Sequence, residues 1–182
     1  RFTTELVDHL PASKTVPTPL AVLGYVPGTI GRLGNTTEIY KYFRAVAEQS
    51  PRVKIFSMGI TELGREMIVA AIADEATIKR LDDYKQMTRR MADPRGISAE
   101  ERPRLLREAK PLYHTSAPIH PPASRSPDLH LEMRYRLATD DSTQHPATRN
   151  NPILMSNPAS SPTGRRPRAI RIHPPDTARH HS

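Results

Sequence analysis

Proline is the strongest constraint on what this chain can build. It has no amide donor and clashes inside a helix, and 13 of the 19 prolines stand at or after Pro103. Seven of the 8 histidines lie at or after His114. From Thr143 onward there are six arginines (Arg149, Arg165, Arg166, Arg168, Arg171 and Arg179) and one acid, Asp176, so this segment alone carries +5 of the chain's net +8. The composition therefore changes along the sequence, and the two parts read differently.

The length of 182 residues suits one domain of ordinary size. With 5% aromatic residues, no Trp and 3 Phe, any core must be mostly aliphatic. The absence of cysteine excludes disulfides, thiolate zinc sites and cysteine nucleophiles. No apolar run approaches the roughly 18 residues that a membrane-spanning helix needs. The sequence opens on Arg1 with no leader pattern, which reads as a fragment or a processed form.

Residues 1–34 mix Pro11, Pro17, Pro19 and Pro27 with four glycines and read as an extended lead-in with turns rather than a helix. Asn35 followed by Glu38 is a capping-box pattern. Ile39, Phe43, Val46 and Ala47 then recur at helical spacing, predicting a helix over 36–49 that Pro51 stops. Val53–Ser57 and the apolar run Met67–Ile72, with Gly59 and Gly64 between them, read as a strand pair with one buried member. A second amphipathic helix is expected over 76–91. Ser98 and Glu101 open another helix through about Ala109, despite Pro103. Leu112–Ser116 reads as a short strand. Ser126-Pro127 starts a helix with Leu129, Met133 and Leu137 on one face. Asn151–Ser156 closes the pattern as a strand. Helices alternating with strands predict an α/β class, with a partial mixed sheet flanked by helices. After Pro158 no apolar periodicity remains, and 157–182 reads as a basic, proline-rich disordered tail.

The stretch Pro111-Leu-Tyr-His-Thr-Ser-Ala-Pro-Ile-His120-Pro-Pro-Ala123-Ser-Arg-Ser126-Pro-Asp runs from a strand through a loop into a helix. Ligands of open α/β sheets sit just past strand ends, which places His120 well. Together with Thr18-Pro19-Leu-Ala-Val-Leu-Gly-Tyr, Ser50-Pro-Arg-Val-Lys-Ile-Phe-Ser-Met-Gly, Gly64-Arg-Glu-Met-Ile-Val-Ala-Ala-Ile and Arg149-Asn-Asn, it resembles the zinc carboxypeptidase family over roughly residues 18–156. The resemblance implies a partial carboxypeptidase-like α/β domain over 18–156, which leaves the extended segment over 1–17 before it and the tail over 157–182 after it. It also implies a metallopeptidase that acts on peptide or protein C-termini, secreted or periplasmic.

In that family the strand-end histidine begins a His-x-x-Glu pair in which both residues bind zinc, and a later histidine completes the set. A catalytic zinc takes three protein ligands and keeps a position for water, which a separate glutamate serves as general base. Here the resemblance assigns His120 as a metal ligand and Arg65, in Gly64-Arg-Glu-Met, to substrate binding. The Glu position, however, is Ala123. The segment Ser161-Pro-Thr-Gly164 keeps only the Pro and Gly of a further substrate-binding block, and neither the third ligand nor the base has a counterpart. The expectation is a truncated or inactive member that holds no stable zinc.

The other histidines carry less. His114 alternates with Tyr113 on a strand and reads as structural. His130 and Glu132 stand two apart, on no common helical face, and are expected on the outer part of their helix. His173-Pro-Pro-Asp176 and His180-His181 fall in the apolar-poor tail. The rival reading is a non-catalytic basic protein that contacts nucleic acid or other polyanions through Arg165, Arg166, Arg168 and Arg171. No aromatic residues are interleaved there for base stacking.

Overall fold

The structure is a computed structural model and describes residues 13–117, 126–139, 149–160 and 162. Its elements in chain order are α1 (Pro19–Leu23), α2 (Thr36–Gln49), β1 (Val53–Ile60), β2 (Glu66–Ile72), α3 (Glu75–Lys79), α4 (Leu81–Ala92), a 3₁₀ turn (Pro94–Gly96), α5 (Glu101–Glu108), β3 (Leu112–Ser116), α6 (Ser126–Thr139) and β4 (Ile153–Asn157). The sheet order is β1-β2-β4-β3. β1 and β2 form an antiparallel hairpin, β2 pairs antiparallel with β4, and β4 pairs parallel with β3. The mixed α/β class read from the sequence is the class observed.

Alternation along the strands sorts the core into two layers. Val53, Ile68, Ala70, Ile72 and Leu154 face one side and meet Ile39, Phe43 and Val46 of α2 with Leu131, Tyr135 and Ala138 of α6. Ala71 and Ile153 face the other side and meet Tyr84 of α4, with Ile78, Leu81 and Met87 packed alongside. β2 is buried along most of its length, whereas β1 is exposed from Phe56 to Ile60. That outer edge is interrupted by a register shift between Ser57 and Gly59, where Gly59 takes φ +107°. A bulge of this kind twists an edge strand away from further pairing.

Local chemistry explains the element starts. At α2, the Asn35 side chain accepts from the Glu38 N–H at 3.0 Å, and the Glu38 carboxylate accepts from the Asn35 N–H at 2.8 Å, completing the expected capping box. Pro103 is tolerated because it falls in the first turn of α5, where amide donors have no partner inside the helix. Asp74 caps α3 through the Thr77 N–H at 2.9 Å. Lys110 donates to Asp74 at 2.8 Å, to Thr77 Oγ1 at 2.6 Å and to the Asn150 carbonyl at 2.6 Å. Burial alone would raise the Asp74 pKa, but the hydrogen bonds from Lys110 and Thr77 outweigh it and hold the group at about 2.

Four expectations need correction. The lead-in contains the short helix α1, capped by Thr18 and closed by Gly24 at φ +76°. The single helix expected over 76–91 is two, because Arg80 leaves helical geometry (φ −112°, ψ 23°) and bonds back to the Thr77 carbonyl. Leu129 does not share the inner face of α6 and is 65% exposed. The boundary expected at 156 falls inside β4, and beyond it Asn157, Pro158, Ala159 and Pro162 are buried, with Ala159 in the α2–α6 core. Ala159 in that core and the Ser160–Ala117 hydrogen bond carry the packed chain past that point. The remainder of the tail, 163–182, lies outside the described residues.

Candidate functional site

The register of the sheet brings the start of β2 and the ends of β4 and β3 to the same side. Ala70, Ala71 and Ile72 pair with Ser156, Met155 and Leu154, so β2 begins where β4 finishes, and β3 finishes beside it at Ser116–Asn157. The Ala117 N–H donates to the Asn157 carbonyl at 2.8 Å, and Ser160 Oγ donates to the Ala117 carbonyl. These bonds tie the chain leaving β3 to the chain leaving β4. The segment 118–125 then connects β3 to the start of α6 at Ser126.

Arg65 stands at this sheet end, where a tight turn sets it. The Gly64 N–H donates to the Thr61 carbonyl at 2.8 Å, with Gly64 at φ +70°, a conformation that favours glycine. The Thr61 N–H donates to the Arg65 carbonyl at 2.7 Å, and the Arg65 N–H donates to Thr61 Oγ1 at 3.1 Å. The guanidinium is half-buried and donates to the Pro162 carbonyl at 3.4 Å. Thr36 Oγ1, at the first residue of α2, donates to the same carbonyl at 3.4 Å. A cation with free edges at the end of a sheet can hold a carboxylate in a bidentate grip. Glu66, the next residue, pairs outward with Arg44 instead.

His120 and Ala123 lie outside the described residues, as do the arginines of the tail and His173, Asp176, His180 and His181. A zinc centre needs three donors. Position 123 offers only a methyl group, and among the described residues no three His, Asp or Glu side chains stand together as a metal-holding group. The methyl group at 123 does not fit the ligand position, so no step through the metal is derived. His114 is an exposed residue of β3, a strand position as expected.

His130 and Glu132 are placed differently from the expectation: both are buried, at 5% and 8% exposure. The residues of α6 that turn into the core are Leu131, Tyr135, Leu137 and Ala138, with Met133 packed against them. The i, i+4, i+7 spacing of Leu131, Tyr135 and Ala138 was the signal in the sequence, and of the expected Leu129, Met133 and Leu137 only Leu129 turns away. His130 Nδ1 lies 2.8 Å from Ser156 Oγ of β4. Burial, then the nearby Arg134, then His114, push its pKa down to about 4. Glu132 pairs along the helix with Arg136 at 2.8 Å. Arg134 is fully buried, with its charged centre 3.8 Å above the Phe43 ring and no hydrogen-bond partner for any guanidinium nitrogen among the described residues. Sequence reasoning did not single out Arg134. Beside this cluster an apolar groove of about 510 Å³ runs between β3, β4 and α6, lined by Leu112, Tyr113, Met133, Leu137 and Leu154. No helix among the described residues is long and apolar enough to cross a membrane.

No protein-family model and no curated protein matches the sequence. Among solved structures, the fold is similar to that of a carboxypeptidase A from Helicoverpa armigera, with a TM-score of 0.54 and 17% sequence identity. The match covers 88% of this chain and 32% of that one, so the chain spans about a third of the length of the structure it matches. At this identity the likeness is one of fold. The four-stranded mixed sheet, with α2 and α6 on one face and α3 and α4 on the other, is carboxypeptidase-like.

Proposed function

We propose that this chain is a metallocarboxypeptidase-like domain that does not hydrolyse peptides and retains, at most, a cationic subsite for a carboxylate at Arg65. The observation that carries this reading is the alanine at position 123, within a strand–loop–helix stretch that otherwise resembles the zinc-binding stretch of the family. An alanine cannot donate to zinc. Without the glutamate carboxylate that the family carries there, the metal that activates the water in the family lacks one of its protein ligands here. The carboxypeptidase-like arrangement of the sheet supports the fold named in this reading. Arg65 supports the subsite: its side chain is half-exposed, and the Pro162 carbonyl engages one of its several donors.

Metal analysis of the purified protein, combined with release of C-terminal amino acids from a peptide, tests the reading. The expected result is no stoichiometric zinc and no release. One tightly held zinc per chain together with released amino acids would overturn it.

A further inference from the structure

The buried contact between α6 and β4 has a chemistry that packing alone does not require. His130 is 5% exposed and Ser156 is 1% exposed, and the 2.8 Å contact between Nδ1 and Oγ joins the first half of α6 to the end of the sheet. With neutral imidazole, one partner donates and the other accepts, and the pair is satisfied whichever tautomer is present. With imidazolium, both ring nitrogens are donors and the ring carries a charge. The charges acting on it are those of Arg134, one turn along the same helix, and His114 of β3, both cationic when protonated. The α6 carboxylates Asp128 and Glu132 stand two residues to either side, where the helix turns side chains to other faces. On this layer β2 presents Ile68, Ala70 and Ile72, β4 presents Leu154, and α2 presents Ile39, Phe43 and the phenols Tyr40 and Tyr42. Burial raises both phenols well above their ordinary value, so they stay neutral in acid.

We infer that His130 and Ser156 form an acid-sensitive latch, which holds α6 against the end of β4 at neutral pH and releases it in mild acid. A histidine whose folded-state affinity for protons is depressed binds fewer protons folded than unfolded. Its contribution is therefore complete above about pH 6.5 and is lost as pH falls toward about 4. Across that window the folding constant drops by up to about tenfold per pH unit. The carboxylate Asp74, held at about 2, gives up its contribution only at lower pH, so the two effects separate.

The test is a set of urea unfolding curves from pH 7.5 to 4, followed by near-UV circular dichroism, on the protein and on His130→Gln. An NMR titration of the His130 imidazole in the unmutated protein accompanies them. The expected result is a folding constant that falls steadily below about pH 6.5 in the protein and stays level in His130→Gln down to about pH 4.5, with His130 protonating well below the ordinary histidine range. Equal pH slopes in the two proteins, or a His130 that titrates near 6.5, would overturn the latch. If His130→Gln does not fold, the NMR titration decides alone.

Discussion

Replacing Arg134 by methionine should stabilise the fold. The guanidinium is 0% exposed, all three of its nitrogens lack hydrogen bonds among the described residues, and the Phe43 ring stacks on its charge. Burial lowers its pKa to about 9, so at pH 7 the group is still charged inside the core. That depression from an ordinary 12.5 corresponds to roughly 5 kcal/mol of cost to the charged form. The stacked aromatic ring returns about 2 kcal/mol. The net penalty of about 3 kcal/mol lies within the roughly 1–4 kcal/mol gained when buried charges are replaced by apolar side chains of similar volume. Methionine keeps the length and can place its sulfur against Phe43. At pH 7, urea unfolding should show a higher midpoint with an unchanged m-value. A gain of 2–3 kcal/mol would raise the melting temperature by about 4–12 °C in a chain of this size. A midpoint that stays put or falls would refute the reasoning, because it would mean that the guanidinium has an anionic partner whose loss costs as much as the desolvation saved.

Two further substitutions probe separate parts of the fold. Lys110→Met leaves the capping carboxylate Asp74 and the Asn150 carbonyl without their shared cation. It should cost about 1 kcal/mol at pH 7, discounted because the pair is partly solvated, and should flatten the acid limb of stability between about pH 4 and 2; an unchanged limb would show that the bridge does not set the Asp74 pKa. Asn35→Ala removes the capping box of α2 and should cost about 0.5–2 kcal/mol in urea unfolding, with no change in the pH 4–6.5 dependence assigned to His130.

How much of this was legible in the sequence depended on whether the signal was local. The cap at Asn35, the stop at Pro51 and the strand Leu112–Ser116 follow from residues within one turn or one strand, and they stand where the sequence reading put them. The orientation of α6 was not local. Polar and apolar residues alternate around it so evenly that the expected stripe is only partly the inner face: Leu131, Tyr135, Leu137 and Ala138 join the core with Met133 packed against it, and Leu129 turns out. That orientation drags His130, Glu132 and Arg134 inside. The same applies to Ala159 and Pro162, whose burial depends on α2 and β3, more than 40 residues away along the chain. At the candidate site, the turn that positions Arg65 was marked by Gly64, whereas its engagement with the Pro162 carbonyl was not.

The position of β4 also sets an order of events during synthesis. β4 is the last of the described strands to be made and yet lies between β2 and β3. The hairpin β1–β2 can close once Ile72 has emerged, but its inner edge then waits for 85 more residues before Asn157 arrives. At about 5–20 residues per second, that interval lasts roughly 4–17 s. Throughout it, the buried strand Glu66–Ile72 presents an unpaired row of amides beside Ile68, Ala70 and Ile72. The nascent chain thus passes through a stage in which its best-packed strand is a sticky edge, and a holding chaperone or slow pairing with another chain competes with the one strand that belongs there.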